Sequence, residues 1–481
     1  MPKLTFYGGV KEIGGNKILL EDKGTRIFLD FGMSFGKAGE FFAEFLTPKK
    51  CNGISDFIKL GLTPDIKGLY RQDYLQKMKR PEEEKQFDGI LISHAHVDHI
   101  GHLNLVRPDI PVFCSEGSKC IMNMLDTTSN FGEYLREKVC FQFAESKKGG
   151  MKRLTSADPG GKCERDVRIA DKPFKIGSLN ITPIPVNHSL PGAMGFAIET
   201  SAGAIIYTGD FRFHGLSPEM TEAFVKKAAS FDPIAVITEG TRVAEKKTET
   251  EKDVYSTVTD FSKSRALIMA NFPIRDTDRM MTFNNAAKDN ERRLVVSMKQ
   301  AYLLELLERT GVNAPKLSEV DIYVPRKSWG LITENVDQKD KERDYSAWEK
   351  DFIDRKNSVT CEDIKKNQKD YVWRCDFFEL KELTDVQPKK SSKYIWSVTE
   401  PFDTKMELNE HIIMNWLNHF NISRIARKHV SGHANWPDLK RTLETINPKT
   451  IFPIHTEHPE LFKGFKAKTK MVEYGKGYEV K

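Results

Sequence analysis

The sequence predicts an α/β protein made of two kinds of unit, and three observations carry that reading. Short apolar runs recur through the first half, among them Ile27-Phe28-Leu29, Gly89-Ile90-Leu91-Ile92, Ile181 to Val186 and Ala204-Ile205-Ile206-Tyr207. Runs of this length, rich in branched and aromatic side chains, read as buried strands. Most of them lead within a few residues to a histidine or aspartate: Asp30, His94, His188, Asp210 and, after Ile451-Phe452-Pro453-Ile454, His455. Neighbouring strands that end at one edge of a sheet bring such residues together. From about residue 216 the rhythm changes to strand then helix, repeated, which argues a parallel sheet.

In chain order, Lys3-Leu4-Thr5-Phe6 begins directly as a strand, with none of the basic and apolar regions of a signal peptide. Strands and loops then alternate to about residue 215. In the second part, Ala266 to Ala270 is a strand followed by a helix from about Thr277 to Ala287, and Leu294 to Ser297 is a strand followed by a helix around Ala301 to Arg309. Residues 333–370, including Asp337 to Asp344, are too charged for a core and are expected to form an exposed excursion. After the strand Tyr394 to Val398, a helix carrying Ile412, Ile413, Trp416, Leu417 and Phe420 is expected to lead back to the first domain, with His411 and His419 facing solvent. The expected layout is 1–215, 216–400 and 401–481, the last segment returning to the first domain.

At 481 residues, with 30% charged residues and a mean hydropathy of -0.49, the chain has ample length for large cores. No apolar run approaches the roughly 20 residues of a membrane span. The 7 cysteines are scattered, odd in number and without a Cys-x-x-Cys pair. A disulfide framework is not expected, and a reducing, cytoplasmic setting is. Cys114 and Cys120 are expected to pack in or near the core. The net charge of +6 and pI ≈ 8.7 are only mildly basic, permitting nucleic-acid binding through a local groove without requiring it. Basic clusters lie at Lys147-Lys148, Lys152-Arg153, Arg292-Arg293, Lys389-Lys390 and from Arg424 to Lys428.

The run Ser93-His94-Ala95-His96-Val97-Asp98-His99 is the most specific signal. Histidine nitrogens and carboxylate oxygens suit zinc or another divalent first-row metal. Their spacing does not fit one helix face, but it suits a loop that wraps ligands around two neighbouring ions.

Together with Gly8 to Asn16, Leu29-Asp30-Phe31-Gly32, Val186-Asn187-His188-Ser189, Tyr207-Thr208-Gly209-Asp210-Phe211, His429 to Ala434 and Pro453-Ile454-His455-Thr456-Glu457, this run resembles the metallo-β-lactamase fold. The second half is similar to its β-CASP branch of nucleases, which includes the ribonuclease J enzymes. The resemblance is weakest from about residue 312 to 392. It implies an αββα metallo-β-lactamase sandwich with an inserted β-CASP α/β domain. The chain ends at Lys481, where bacterial ribonucleases J carry a further domain, so an archaeal-type relative is expected. An oligomer is compatible with this reading.

Carried over residue by residue, the resemblance implies that His94, His96 and His188 hold one ion and that Asp98, His99 and His455 hold a second. Asp210 would bridge the two, and Asp30 would orient a ligand from behind. The expected cofactors are two divalent ions, zinc first and manganese as the alternative. Asp98, Glu239 and His433 are the expected catalytic residues, with His433 protonating the leaving oxygen and Glu239 holding it. The chain reads Glu239-Gly240-Thr241-Arg242 where the family usually has an acid followed by Ser-Thr. Ser431, Gly432 and Ala434 resemble the loop with which ribonuclease J enzymes hold a substrate phosphate. Arg275 and Arg279, at the start of a helix, are further candidates for phosphate. The expected activity is metal-dependent hydrolysis of RNA, 5′→3′ from the end, with internal cutting left open. A DNA-directed nuclease of the same branch, a lactonase or thioesterase, and a non-catalytic RNA-binding scaffold remain as alternatives.

Overall fold

A computed structural model describes the chain except residues 44, 130–132, 138–142, 156–162, 248, 334–336 and 400–403. Met1–Phe213, Ser217–Lys247 and Gly432–Lys481 form one unit, and His214–Leu216 with Thr248–Ser431 form a second.

In the first unit the strand alternation sorts side chains onto two faces. One 7-stranded sheet runs Val167–Ile169, Val112–Cys114, Gly89–Leu91, Thr25–Leu29, Ile18–Asp22, Lys3–Phe6, Gly477–Glu479. The other runs Phe174–Ile176, Leu179–Pro185, Met194–Thr200, Gly203–Tyr207, Ala235–Thr238, Thr450–Pro453, Lys468–Thr469. Ile18, Leu20, Ile27 and Leu29 of the first sheet share a core with Ile198, Ile205, Ile237 and Phe452 of the second. The next residues along the second sheet, Ala197, Ile206, Val236 and Ile451, turn the other way. They pack with Phe224 and Val225 of the helix Pro218–Ala229 and with Leu439 and Leu443 of the helix Trp436–Ile446. On the far face of the first sheet, Phe28 meets Phe31 and Phe87, each at 5.2 Å between ring centroids. The result is a two-sheet sandwich with helices outside. One-residue alternation decides which side chain faces which layer.

The topology also gathers the polar strand ends. Gly203–Tyr207, Ala235–Thr238 and Thr450–Pro453 are parallel neighbours, as are Thr25–Leu29 and Gly89–Leu91. Parallel strands leave a sheet at the same edge, so the residues that follow them emerge together.

The second unit holds a 7-stranded sheet in the order Ser358–Val359, Asp321–Tyr323, Arg293–Ser297, Tyr371–Arg374, Ile268–Asn271, Lys393–Trp396, Arg424–Arg427. Every pairing is parallel, and apolar residues fill both faces. Ile268, Leu294, Val296 and Val372 lie on one side, and Met269, Val295, Trp373 and Tyr394 on the other. Continuous apolar strands are what a sheet buried on both faces needs. The helices expected after the first two strands are observed as Thr277–Lys288 and Met298–Leu307.

The expected boundaries shift for physical reasons. Residues 217–247 stay with the first unit, because Ala235–Thr238 is an inner strand of its second sheet. The helix Thr404–His419 belongs to the second unit, not to a returning segment. Its Ile413 and Leu417 pack in that unit's core, and the strand Arg424–Arg427 after it pairs with Lys393–Trp396. The chain returns to the first unit at Gly432. His411 and His419 are exposed. The charged segment 333–370, of which residues 334–336 lie outside the described residues, is not wholly an exposed excursion. Tyr345, Phe352 and Ile353 insert into the core, Lys350 and Asp351 between them face outward, and Glu349 is buried against Lys327. Cys114 and Cys120 are buried. Among the described residues no helix is long and apolar enough to cross a membrane.

Candidate metal centre

The polar strand ends converge in the first unit as three overlapping clusters, the donor atoms of each lying within 4.8 Å of one another. His94, His96, His188 and Asp210 form one, Asp98, His99 and His455 a second, and Asp210, Glu239, His433 and His455 a third. Every residue expected to hold metal is therefore present in the set. Asp210 stands in the middle. Its Oδ2 lies 3.1 Å from His99 Nε2, 3.6 Å from His94 Nε2 and 3.6 Å from His455 Nε2. His455 Nε2 lies 3.1 Å from Asp98 Oδ2, and His96 Nδ1 lies 2.9 Å from His94 Nε2 and 3.1 Å from His188 Nε2.

The local backbone is built for this gathering. Asp30 and His455 both take positive φ, 56° and 52°, an uncommon conformation for non-glycine residues that turns their side chains off the strand line. Met33 N donates to Val97 O at 3.1 Å and Phe31 N to His99 O at 2.8 Å, so the loop after Asp30 braces the histidine loop. Gly32 sits where a Cβ would come within 1.6 Å of Asp98 O, so no other residue permits that approach.

The donor set fits divalent cations by a direct test. Both carboxylate oxygens of Asp210 and Nε2 of His99 are buried without a hydrogen-bond partner. An unpartnered buried carboxylate is costly, and a cation between these atoms would satisfy all of them. The outer ring nitrogens are committed as metal-holding imidazoles require. His99 Nδ1 meets Asp30 Oδ2 at 2.7 Å, His188 Nδ1 meets Gly432 O at 2.6 Å, His94 Nδ1 meets Ser93 Oγ at 3.1 Å and His455 Nδ1 meets Thr241 Oγ1 at 2.8 Å. Burial and neighbouring imidazoles hold His94 and His188 well below the ordinary histidine range, so both are neutral, the form that binds metal. Burial also works against a charge on His99, but Asp210, Asp30 and Asp98 outweigh it and raise its pKa. That excess of carboxylate is what cations would neutralise. Asp98 is held below the usual carboxylate range because His99 and His455 outweigh its burial.

Beside this cluster Glu239, 1% exposed, accepts from Phe211 N at 3.0 Å through Oε1 and from His433 Nδ1 at 2.9 Å through Oε2. Burial opposes a charge on His433, but Glu239 and Asp210 outweigh it and push its pKa up to about 9. The paired arrangement expected of these two residues is present in the geometry.

The expected phosphate contacts fare differently. Arg279 is fully buried. Its Nε and Nη2 bind Glu251 at 3.1–3.2 Å and its Nη1 binds Ser397 O at 2.9 Å. Its charge is spent inside the second unit, so it is a structural ion pair and not a phosphate ligand. The N-terminus of its helix is likewise occupied by Asp276, whose side chain accepts from Arg279 N at 3.0 Å. Arg275 lies half-buried in the turn just before. Ala434 is fully buried among Val243 and Leu439 and anchors its loop from the core. Gly432 has a reason of its own: a Cβ there would lie 2.6 Å from His188 Cε1. Ser431 is half-buried, and its carbonyl faces His214 Nε2 at 2.8 Å.

Sequence reasoning missed the hydroxyls that hold the site from behind. Ser93 Oγ donates to Asp30 Oδ2 at 2.7 Å, and Tyr207 OH donates to the same oxygen. Thr241, noticed only as part of an unusual loop, touches His455. Ser93 lies inside the histidine run and Tyr207 ends a strand, but neither position shows which way a hydroxyl points.

Comparison with known proteins agrees with this geometry. Residues 63–253 match a Beta-lactamase superfamily domain and residues 413–475 a Zn-dependent metallo-hydrolase RNA specificity domain. Ribonuclease J of Helicobacter pylori is 30% identical over 212 residues, covering 44% of this chain and 23% of that protein. The match thus spans about a quarter of the Helicobacter protein. Ribonuclease J of Pyrococcus abyssi is 22% identical over 470 residues, covering 95% of this chain and 90% of that protein. Ribonuclease J 2 of Streptococcus pyogenes is 22% identical, covering 95% of this chain and 70% of that protein. A crystal structure of a protein of unknown function from Enterococcus faecalis superposes with a TM-score of 0.72 at 23% identity, covering 99% of both chains, and so shares the fold.

Proposed function

The chain is a metallo-β-lactamase-superfamily protein of the ribonuclease J-like, β-CASP type, and on that premise we propose that it is a metal-dependent ribonuclease. The observation that carries the reading is Asp210, a buried carboxylate with neither oxygen hydrogen-bonded, ringed by imidazoles of two ligand clusters and set beside a Glu–His pair.

His94, His96 and His188 would hold one divalent ion, Asp98, His99 and His455 a second, with Asp210 touching both. Two such ions, zinc or manganese, would supply Lewis acidity and neutralise charge on a scissile phosphate. The residues around them do the rest. Neutral His94 and His188 bring no proton to the site, and Asp30 fixes the ring of His99. Glu239 takes Nδ1 of His433 and keeps the imidazolium charged and aimed. As water adds to phosphorus and the P–O bond breaks, His433 gives a proton to the leaving oxygen and takes one back from the water that was consumed. Ser431, next but one to His433 in the chain, would hold a 5′-phosphate, and Arg275 would contact the backbone of the strand. We infer 5′→3′ trimming that favours a 5′-monophosphate.

The test is incubation of end-labelled RNA, and of matched DNA, with and without a chelator. Metal-dependent loss of RNA from its 5′ end, slower for a triphosphate or hydroxyl end, is the expected result, with Ser431→Ala weakening the preference. Cutting of a circular RNA would convert the reading to an endonuclease. Intact RNA in the presence of zinc or manganese would overturn it.

A further inference from the structure

A ring nitrogen can present a lone pair to a cation only if the other nitrogen carries the proton. For His188 and His99 the outer partner settles this, because a carbonyl and a carboxylate can only accept. The outer partner of His455 is a hydroxyl, Thr241 Oγ1 at 2.8 Å from Nδ1, and a hydroxyl can either give or take. A second contact decides its direction. The same Oγ1 lies 3.3 Å from the carbonyl oxygen of His455, which can only accept. The one hydroxyl proton goes to that carbonyl, so the oxygen is left to accept from Nδ1–H. Nε2 lies 3.1 Å from Asp98 Oδ2, which can only accept, so Nε2 donates to that carboxylate until a cation between them takes its lone pair instead.

We propose that Thr241 is a positioning residue that sets the tautomer of His455 and thereby the affinity of the ion site formed by Asp98, His99 and His455. The inference rests on the metal-holding roles proposed above. Thr241 also reaches the other half of the machinery: its backbone N donates to Glu239 Oε2 at 3.4 Å, the oxygen that receives His433. One loop residue therefore ties the imidazole of one ion site to the Glu–His pair. The neighbouring Gly240 serves this loop in a different way. A Cβ at Gly240 would come within 2.7 Å of the Phe462 ring, so a serine there, as in the usual family pattern, needs that ring to shift.

Thr241→Val keeps the shape and removes the hydroxyl, while Thr241→Ser keeps the hydroxyl. Two readouts separate the possibilities. The first is the histidine nitrogen spectrum of the zinc-loaded protein, with His455 assigned by its loss in His455→Asn. His455 is expected to show a hydrogen-bonded Nδ1 proton in the wild type and in Thr241→Ser, and to lose that hydrogen bond in Thr241→Val. The second is zinc titration of the full chain. Thr241→Val is expected to weaken one of two ions by about 10- to 100-fold and to leave the other unchanged, with Thr241→Ser close to wild type. An unchanged Nδ1 proton signal together with unchanged zinc affinity in a folded Thr241→Val overturns the proposal, and so does a Thr241→Ser as impaired as Thr241→Val. A wild type that binds no zinc defeats the metal reading itself, whereas zinc binding that Thr241→Val leaves untouched defeats only the role of Thr241.

Discussion

A proton donor serves a leaving oxygen best when its charge is maintained and its ring is held by the other nitrogen, and the contact of Glu239 with Nδ1 of His433 does both. His433→Ala should lower turnover about 10²-fold or more, with ion content unchanged by metal analysis. Loss of an ion along with activity would instead make His433 a ligand, as the cluster of Asp210, Glu239, His433 and His455 allows. A second residue bears on stability. Lys17 is 1% exposed, and burial pulls its pKa down to about 7 although Glu12 opposes this. Below pH 7 both folded and unfolded chains carry the proton, and the cost of burying the ammonium is felt in full. Between about 7 and the ordinary lysine value the unfolded chain binds more protons, so stability from this group rises with pH by at most roughly 1.4 kcal/mol per unit. Lys17→Met should therefore stabilise the protein at pH 7, and its advantage should shrink by pH 9.5 in urea denaturation. Parallel pH dependence of the two proteins would defeat the argument. At this scale the sequence was legible where chemistry is carried by rare residue types at strand ends, as with His94 to His99, His188, Asp210 and His455. It was illegible for Thr241, Ser93 and Tyr207, whose hydroxyls are common and whose role depends on a partner distant in sequence.

Elements that announce themselves by period were read closely, and those whose partners are distant were not. The strands around Ile268 and Leu294 and the helices after them fall where alternation of strand and helix puts them. The helix Thr404–His419 has an apolar stripe that any sheet could cover, and only the pairing of Arg424–Arg427 shows which sheet does. Arg279 is the same lesson inside one helix. Two arginines near a helix N-terminus favour phosphate in general, but Glu251 lies across the helix–helix contact and takes one of them. Removing the arginine alone strips a buried carboxylate of its guanidinium. Arg279→Met should then cost about 3–5 kcal/mol in urea denaturation, while Arg279→Met with Glu251→Met should recover most of it. If the single substitution leaves stability unchanged but weakens RNA binding, the phosphate reading was right after all.

At the scale of the whole chain, each unit has its own core: the inter-sheet cluster around Leu29, Ile205 and Phe452 in one, and the two faces of the parallel sheet in the other. Among the described residues, the ligand clusters lie in the first unit. Chain segments 217–247 and 432–481, which the sequence hardly distinguishes from their neighbours, belong to that unit because they supply inner strands and the residues Glu239, His433 and His455. Ions that bind the folded state alone stabilise it by mass action, about 2.7 kcal/mol at a hundredfold excess over the dissociation constant. In scanning calorimetry, two transitions are expected once ions are stripped by a chelator, because the first unit then holds the buried, unpartnered carboxylate of Asp210 beside Asp98. Returning zinc should raise one transition by several degrees and leave the other in place. Asp210→Asn should abolish that shift while keeping the second transition where it was. If zinc raised both transitions equally in the Asp210→Asn protein, the ions would be binding somewhere other than this cluster.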